Sequence, residues 1–211
     1  MIRLDIFFDP VCPWCYIGKG LLDRALESRP GHRFAISWHP FQLNPDMPAG
    51  GMEHTAFLEA RFGSRAKAVE ALAQVAAAAE RAGLDLDPAR IRRMPNTVDA
   101  HRLSHWAGLE GVQSRVVAGL MRAHFRDGQD IGDAATLAAI GAAAGMDGAV
   151  LRRLLDSDAD RETVQRHEAH GRERGIRAVP TFIVADRHVL PGAQPVALWQ
   201  EVIDETIASG N

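Results

Sequence analysis

The only two cysteines of the chain lie in one tetrapeptide, Cys12-Pro13-Trp14-Cys15, and two thiols at that spacing can attack, hold and release a disulfide. The attacking species is the thiolate. A free cysteine, with a pKa of about 8.5, is mostly protonated at neutral pH, so the chemistry needs a setting that favours a sulfur anion. A helix N-terminus is such a setting, because it offers unpaired backbone N–H groups and the positive end of the helix dipole. The surrounding residues supply one. The apolar run Ile2–Phe8 reads as a strand and Asp9-Pro10-Val11 as a turn, after which Trp14, Ile17, Leu21, Leu22, Ala25 and Leu26 fall at helical spacing. Pro13 suits the first helical turn, where its missing N–H costs nothing. Cys15, one turn beyond Cys12, can resolve a mixed disulfide within the chain.

Blander roles compete for the same residues. A structural zinc site wants four ligands, and there is neither a second cysteine pair nor a closely spaced Cys/His pair. A four-residue loop is a poor staple, and lasting bridges belong to secreted chains. Inert buried thiols are common, but they do not call for a strand-to-helix setting. His101 and His105, and His167 and His170, have spacings on expected helices that could hold a metal. No carboxylate accompanies them in a metalloenzyme motif, and no metal is expected.

At 211 residues the chain can bury a sizeable core as one large domain or one with an insertion. With 24 Lys and Arg against 27 Asp and Glu, the net charge of -3 gives no attraction for nucleic acid, and no like-charged run marks a tail. The alanine-rich residues 66–82 are broken by Lys67, Glu70, Gln74, Glu80 and Arg81, so they do not read as a membrane span. Met1 leads straight into the first strand without a secretory leader. The expected location is the cytoplasm, where a lone CxxC is catalytic or sensing rather than structural.

The elements that must position the cysteines follow in order. Residues 28–31 carry turn chemistry and residues 33–38 alternate as a strand, completing a βαβ unit with parallel strands and a right-handed crossover. Residues 46–51 are loop-like. Helical pattern then fills residues 56–62, 64–82, 97–109, 114–126, 134–144 and 148–155, with Asp133, Asp147 and Asp158 as N-caps and Gly83, Gly111, Gly128, Gly145 and Gly175 as stops. Strand character returns at residues 179–184 and 188–190, separated by the turn-like Ala185-Asp186-Arg187. A last amphipathic helix follows Pro195. The expectation is an α/β fold, βαβ then α-ββ-α, split by an inserted all-helical domain: residues 1–50 and 166–211 as one discontinuous domain, residues 51–165 as the other. Pro180 opens a strand that otherwise looks central. Local sequence admits either a trans proline at the strand's first residue or a cis Val179-Pro180 bond.

The CPWC motif after the first strand, the helical insertion, and Val179-Pro180-Thr181-Phe182 before a hairpin and a final helix resemble the DsbA family of the thioredoxin-like fold. More narrowly, Phe8-Asp9-Pro10-Val11-Cys12-Pro13-Trp14-Cys15, Pro40-Phe41-Gln42-Leu43-Asn44-Pro45, Asn96-Thr97-Val98-Asp99-Ala100-His101-Arg102-Leu103 and Gly192-Ala193-Gln194-Pro195 are similar to its FrnE-like branch. The resemblance spans nearly the whole chain. It implies a thiol–disulfide oxidoreductase with Cys12 as the exposed nucleophile, Cys15 as the resolving thiol and Pro180 as a cis-proline beside them that keeps metals off the thiolates. Val179 would offer its backbone N–H and C=O to an extended substrate. Pro13, Trp14 and Thr181 would shape the site, Trp14 by stacking on substrate or by shielding Cys15.

The wider group includes kappa-class glutathione transferases and 2-hydroxychromene-2-carboxylate isomerases, where a serine commonly replaces the first cysteine and the second is absent. Both cysteines are present here, which favours dithiol exchange over glutathione addition. In a glutathione-dependent reaction the backbone of residues 192–194, including Gly192 and Gln194, would meet a glutathione carboxylate. Residues 96–102 would either face the site from the helical domain or begin a helix with Asn96 as cap. No tightly bound cofactor is expected; glutathione is a candidate redox partner or co-substrate, and the substrate is a polypeptide or glutathione-like thiol or disulfide. A third reading, from another class, is a polypeptide-binding, chaperone-like protein whose helical insertion forms an apolar cleft. Substrate, direction of electron flow and oligomeric state are not legible in these residues.

Overall fold

The computed structural model describes residues 1–208. Strand β1 (Ile2–Phe8) pairs in parallel with β2 (Phe34–Pro40), Ile2 opposite Phe34 through Phe8 opposite Pro40, and helix α1 (Pro13–Ser28) makes the crossover. The other edge of β1 takes β5 (Thr181–Val184) antiparallel, and β5 turns back into β6 (His188–Pro191), giving the order β2-β1-β5-β6. β1 is an unbroken apolar run after Asp5 because it is central and covered on both faces. One face carries α1 and the C-terminal α9 (Val196–Ala208), which pack on each other. Against β2 lie α4 (Val98–Leu109), α5 (Gln113–Phe125) and α8 (Arg161–Glu173).

Between β2 and α4 the chain forms α2 (His54–Phe62) and α3 (Arg65–Arg81), and between α5 and α8 it forms α6 (Ala134–Ala143) and α7 (Gly148–Leu155). The helices expected from apolar spacing are all present, to within a few residues at their ends. Asp133 caps α6 by accepting from the Thr136 N–H, and Asp147 caps α7 by accepting from the Ala149 and Val150 N–H groups. Asp158 does not cap α8. Asp160 holds that position, with φ 57° and no side-chain cap bond, because its carboxylate accepts from the Trp106 indole N–H at 2.9 Å. A two-strand ladder was not foreseen: β3 (Met52–Glu53) and β4 (Arg93–Met94) are too short to show alternation. Gly51 permits it, since at φ 67° a Cβ there would lie 2.5 Å from the Met94 carbonyl oxygen.

Three apolar clusters tie the layers together. Leu4, Ile6, Phe8, Phe182, Trp199 and Ile203 form the core of the sheet and its covering helices. Leu103, Leu120, Ile131, Leu137 and Leu151 form a second core among the helices. Ile17 on α1 meets Val75 and Ala79 on α3 in a smaller third, which places the α2–α3 hairpin over the start of α1.

Helix α1 owes its position beside Pro180 to Gly18. A Cβ there would lie 3.2 Å from the Pro180 Cγ and 3.4 Å from both the Phe182 ring and the Ala193 Cα. Gly18→Val is therefore expected to cost about 1–3 kcal/mol in urea unfolding, since the helix must move off the proline. Unchanged stability in the variant would show that the contact has slack.

Candidate active site

Cys12 is the N-cap of α1, with Pro13 in the first turn and no side chain capping the helix. The turn before it is closed by the Cys12 N–H donating to the Asp9 carbonyl at 3.0 Å. The Cys15 and Tyr16 N–H groups donate to the Cys12 carbonyl at 3.0 and 3.2 Å, so the helix begins at the motif itself. Cys12 thus stands at the N-terminal end of the helix. Its thiol donates to the Val179 carbonyl at 3.6 Å, across 167 residues of chain. The Val179–Pro180 peptide bond is cis.

Burial, followed by the neighbouring Cys12, pushes the pKa of the Cys15 thiol well above the ordinary value. Cys15 therefore stays a thiol until something nearby accepts its proton.

Cys12 is not the exposed nucleophile expected from the sequence. It is only 3% exposed, because Val11, Val179 and the α2–α3 hairpin surround it. It opens instead on a cavity of about 390 Å³. Val11, Pro13, Trp14 and Val179 line the cavity on the cysteine side, and Phe57, Leu72 and Val75 line it from α2 and α3. Trp14 and Leu43, at 42% and 38% exposure, are the exposed large apolar members of the lining, while Phe57, Phe62 and Leu72 are half-buried.

Beneath the motif lies a buried carboxyl that sequence reasoning did not single out. Asp9, 1% exposed, accepts from the Leu43 N–H at 2.7 Å and from the Val11 N–H at 3.5 Å. Burial pushes its pKa up to about 7 against the pull of those N–H donors. One of its oxygens is 3.8 Å from Nε2 of His101, whose ring stands edge-on to Phe8. Neither ring nitrogen of His101 has a hydrogen-bond partner, and burial pushes its pKa down to about 3. The only signal in the sequence was an aspartate set in an otherwise apolar run, Phe7-Phe8-Asp9-Pro10-Val11.

The DSBA-like thioredoxin domain family matches residues 3–204. The chain belongs to this family. It is 25% identical over 205 residues to the uncharacterized protein YwbO of Bacillus subtilis (strain 168), covering 97% of this chain and 96% of that one. Among solved structures it is similar to the probable DsbA oxidoreductase SCO1869 of Streptomyces coelicolor, with a TM-score of 0.86 and 25% identity over 100% of this chain and 92% of that one. The fold is also shared by 2-hydroxychromene-2-carboxylate isomerase, at TM-score 0.74 and 15% identity, covering 98% of this chain and 97% of that one. It is shared too by the cytosolic disulfide reductase DsbM of Pseudomonas aeruginosa, solved with GSH, at TM-score 0.71 and 21% identity, covering 98% and 99%. The architecture is thus the thioredoxin-like DsbA fold with helices inserted between β2 and β5.

Within this DsbA-family fold the expected site residues divide. Cys12, Pro13, Trp14 and Val179 face the cavity. Thr181 is buried and its hydroxyl donates to the Ala178 carbonyl at 2.7 Å, so it closes the turn before β5 and does not line the cavity. Asn96 does not line it either. Its amide donates to the Met47 carbonyl at 2.6 Å, and its oxygen accepts from the Val98 N–H at 3.0 Å and from Gln42 at 3.4 Å. It is a local clasp for the loop after β2, and Thr97 holds the N-cap position. Arg102 is fully buried and turned away, donating to the carbonyls of Ala159, Leu154 and Ser157 at 2.7 Å each.

Of the backbone N–H groups expected over residues 192–194, that of Gly192 is engaged: it donates to the Pro180 carbonyl at 2.7 Å and closes the β5–β6 end. The Gln194 side chain folds back onto the Pro191 carbonyl. His105 and His167 approach each other, ring centroids 5.7 Å apart. No group of three or more metal-ligating side chains occurs among the described residues.

The Asp9–His101 pair makes a pH prediction with a definite sign. A raised carboxyl lets the folded chain keep a proton, so Asp9's contribution is complete below 3.8 and is lost as the pH rises through about 7. A depressed imidazole does the reverse: His101's contribution is complete above 6.5 and is lost as the pH falls through about 3. Between those limits the two slopes cancel, because folded and unfolded chains each hold one proton on the pair. His101→Leu leaves the Asp9 slope alone. Its stability in urea should fall by up to roughly 4 kcal/mol from pH 4 to pH 7, relative to the wild type over the same range. Parallel profiles would show that the pair does not carry a single shared proton.

Proposed function

We propose that the protein is a thiol–disulfide oxidoreductase of the DsbA type, in its FrnE-like branch, working through the Cys12–Cys15 dithiol. The observation that carries this reading is the pair itself: Cys12 at the start of α1, beside Cys15 and hydrogen-bonded to the Val179 carbonyl, in the lining of a cavity. Cys12 loses its proton and attacks one sulfur of a substrate disulfide. A Cys12–substrate disulfide forms and the other substrate sulfur leaves as a thiolate. Cys15 then attacks the Cys12 sulfur, the intramolecular disulfide forms, and the second substrate thiolate leaves. Two electrons pass to the substrate, and the protons given up by the two thiols return to the two leaving groups. Run backwards, the same steps oxidise a dithiol.

The resolving step needs a base, because burial holds Cys15 protonated. Asp9 fits that role. Its charge is felt at Cys15, and a carboxyl whose pKa is about 7 can both take and return a proton near neutrality.

A second reading is a glutathione-dependent transferase or isomerase. The isomerase and the GSH-bound reductase that share this fold favour it, whereas the engaged Gly192 N–H removes one donor it would use. In the first reading glutathione enters instead as the thiol that restores the dithiol, and a cytoplasmic location suits a pair that must be kept reduced. No helix is long and apolar enough to cross a membrane among the described residues.

Cys12→Ser is expected to abolish turnover of a glutathione mixed disulfide. Cys15→Ser should cut turnover at least about a hundredfold while trapping glutathione on Cys12, seen by intact mass under non-reducing conditions. Asp9→Asn should slow resolution of that adduct at least about tenfold at neutral pH and leave alkylation of Cys12 within about twofold of wild type. Turnover by Cys12→Ser would exclude the first reading, and turnover retained by Cys15→Ser would select the second.

A further inference from the structure

Charge is nearly absent from the cavity in front of Cys12. Its lining is chiefly apolar, with Trp14, Phe57, Phe62, Leu72 and Val75 among its walls, and it contains no aspartate or glutamate among the described residues. His54 and His124 also line it, but burial lowers the pKa of both, His124 to about 3, so both rings are neutral at neutral pH. The ring nitrogens of His124 are unpaired and sealed off, and so offer a ligand nothing. Arg61 is the one permanent charge of the lining among the described residues.

Arg61 is exposed, stands in the last turn of α2, and has no hydrogen bond or ion pair among the described residues. The helix dipole favours a cation at that end of a helix but does not choose which way it points. None of the other charged residues of α2 and α3 lines the cavity. A guanidinium presents a planar fork of donors that matches a carboxylate.

This balance of charge narrows the ligand. Glutathione, with two carboxylates and an ammonium, would leave two of its charges without a partner in the lining. A symmetrical disulfide of an apolar thiol acid brings a second carboxylate and meets the same difficulty. A cyclic disulfide carries both sulfurs and a single carboxylate in one compact body, and a cavity of about 390 Å³ suits a molecule of that size.

We infer that the cavity takes an apolar monocarboxylate bearing a cyclic disulfide, or the corresponding dithiol, with the sulfurs toward Cys12 and the carboxylate toward Arg61. The inference deepens the oxidoreductase reading by naming a substrate class, and rests on that reading for the exchange itself. Cys12 gives up its proton and bonds one ring sulfur as the ring S–S bond breaks, and the other ring sulfur takes a proton. Cys15 then gives up its proton and displaces the first sulfur, which takes a proton in turn. The protein disulfide forms, the ligand leaves as its dithiol, and two electrons have passed to it. The reverse sequence oxidises the dithiol.

The probe is 6,8-bis(methylthio)octanoate, an apolar monocarboxylate whose two sulfurs are thioethers and cannot exchange, titrated calorimetrically at low salt into the reduced full-length protein. It reads the cavity alone, while the glutathione mixed-disulfide assay reads the redox chemistry, so either can fail without the other. The expected result is saturable binding that slows alkylation of Cys12. The corresponding primary amide should bind about three- to fivefold more weakly, as befits an ion pair at an exposed rim. S-methylglutathione should bind at least about tenfold more weakly than the probe. Arg61→Gln should erase the preference for acid over amide, and Arg61→Lys should keep it to within about twofold. Leu72→Trp, which narrows the cavity from its α3 wall, should weaken acid and amide alike by at least about tenfold. The inference is overturned by absence of binding, by an amide as tight as the acid, or by a preference that survives Arg61→Gln. Binding unaffected by Leu72→Trp, or S-methylglutathione as tight as the probe, would overturn it equally.

Discussion

The contact between the Cys12 sulfur and the Val179 carbonyl depends on one pairing, that of β1 with β5. Phe7 lies opposite Thr181 in that ladder, so the turn after β1 and the turn before β5 emerge at the same end of the sheet. One carries the cysteine motif and the other carries Val179 and Pro180. Everything chemical follows from their meeting there. The helix begins at Cys12, the carbonyl of Val179 accepts a hydrogen bond from its thiol, and Gly18 lets the helix lie against Pro180 without a side chain between them.

Behind this junction the sheet and the helical layer meet around buried ionisable groups. Asp9 hangs from the same turn as Cys12, and His101 comes from α4. Each is disfavoured as an ion chiefly by burial, with the charge of Glu168 adding to the effect at Asp9, and together they hold a single proton over the mildly acidic range. The Gln42 side chain, bonded to Asn96 and Thr97, and its N–H, bonded to Glu168, fasten the loop that supplies the Leu43 N–H to Asp9. A carboxyl poised near neutrality beside a buried thiol is therefore a product of how loop and helix close over it.

In front of the junction the α2–α3 hairpin encloses the nucleophile. It is anchored through Val75, Ala79 and Ala82 on Ile17, so the same helix that begins at the cysteine also supports the hairpin above it. The enclosure explains why Cys12 is nearly inaccessible although its chemistry requires encounter with a substrate. The cysteine lines a chiefly apolar cavity and has almost no share of the open surface.

Much of this architecture was legible beforehand because it rests on local rules. The strand-turn-helix around the CPWC motif, the helix succession with caps at Asp133 and Asp147, and the final hairpin and helix each follow from periodicity and turn chemistry that neighbouring residues contain. The two sulfurs proposed to react were equally plain, there being no other cysteines. What only the tertiary structure decided is the environment of each group. The burial of Cys12, the shifts of Asp9 and His101, the diversion of Asp160 to Trp106, the occupied N–H of Gly192 and the unpaired His124 all depend on atoms far away in the chain. Periodicity records which face of an element is apolar, but desolvation and hydrogen-bond satisfaction depend on what that face meets, and that is settled when the elements pack.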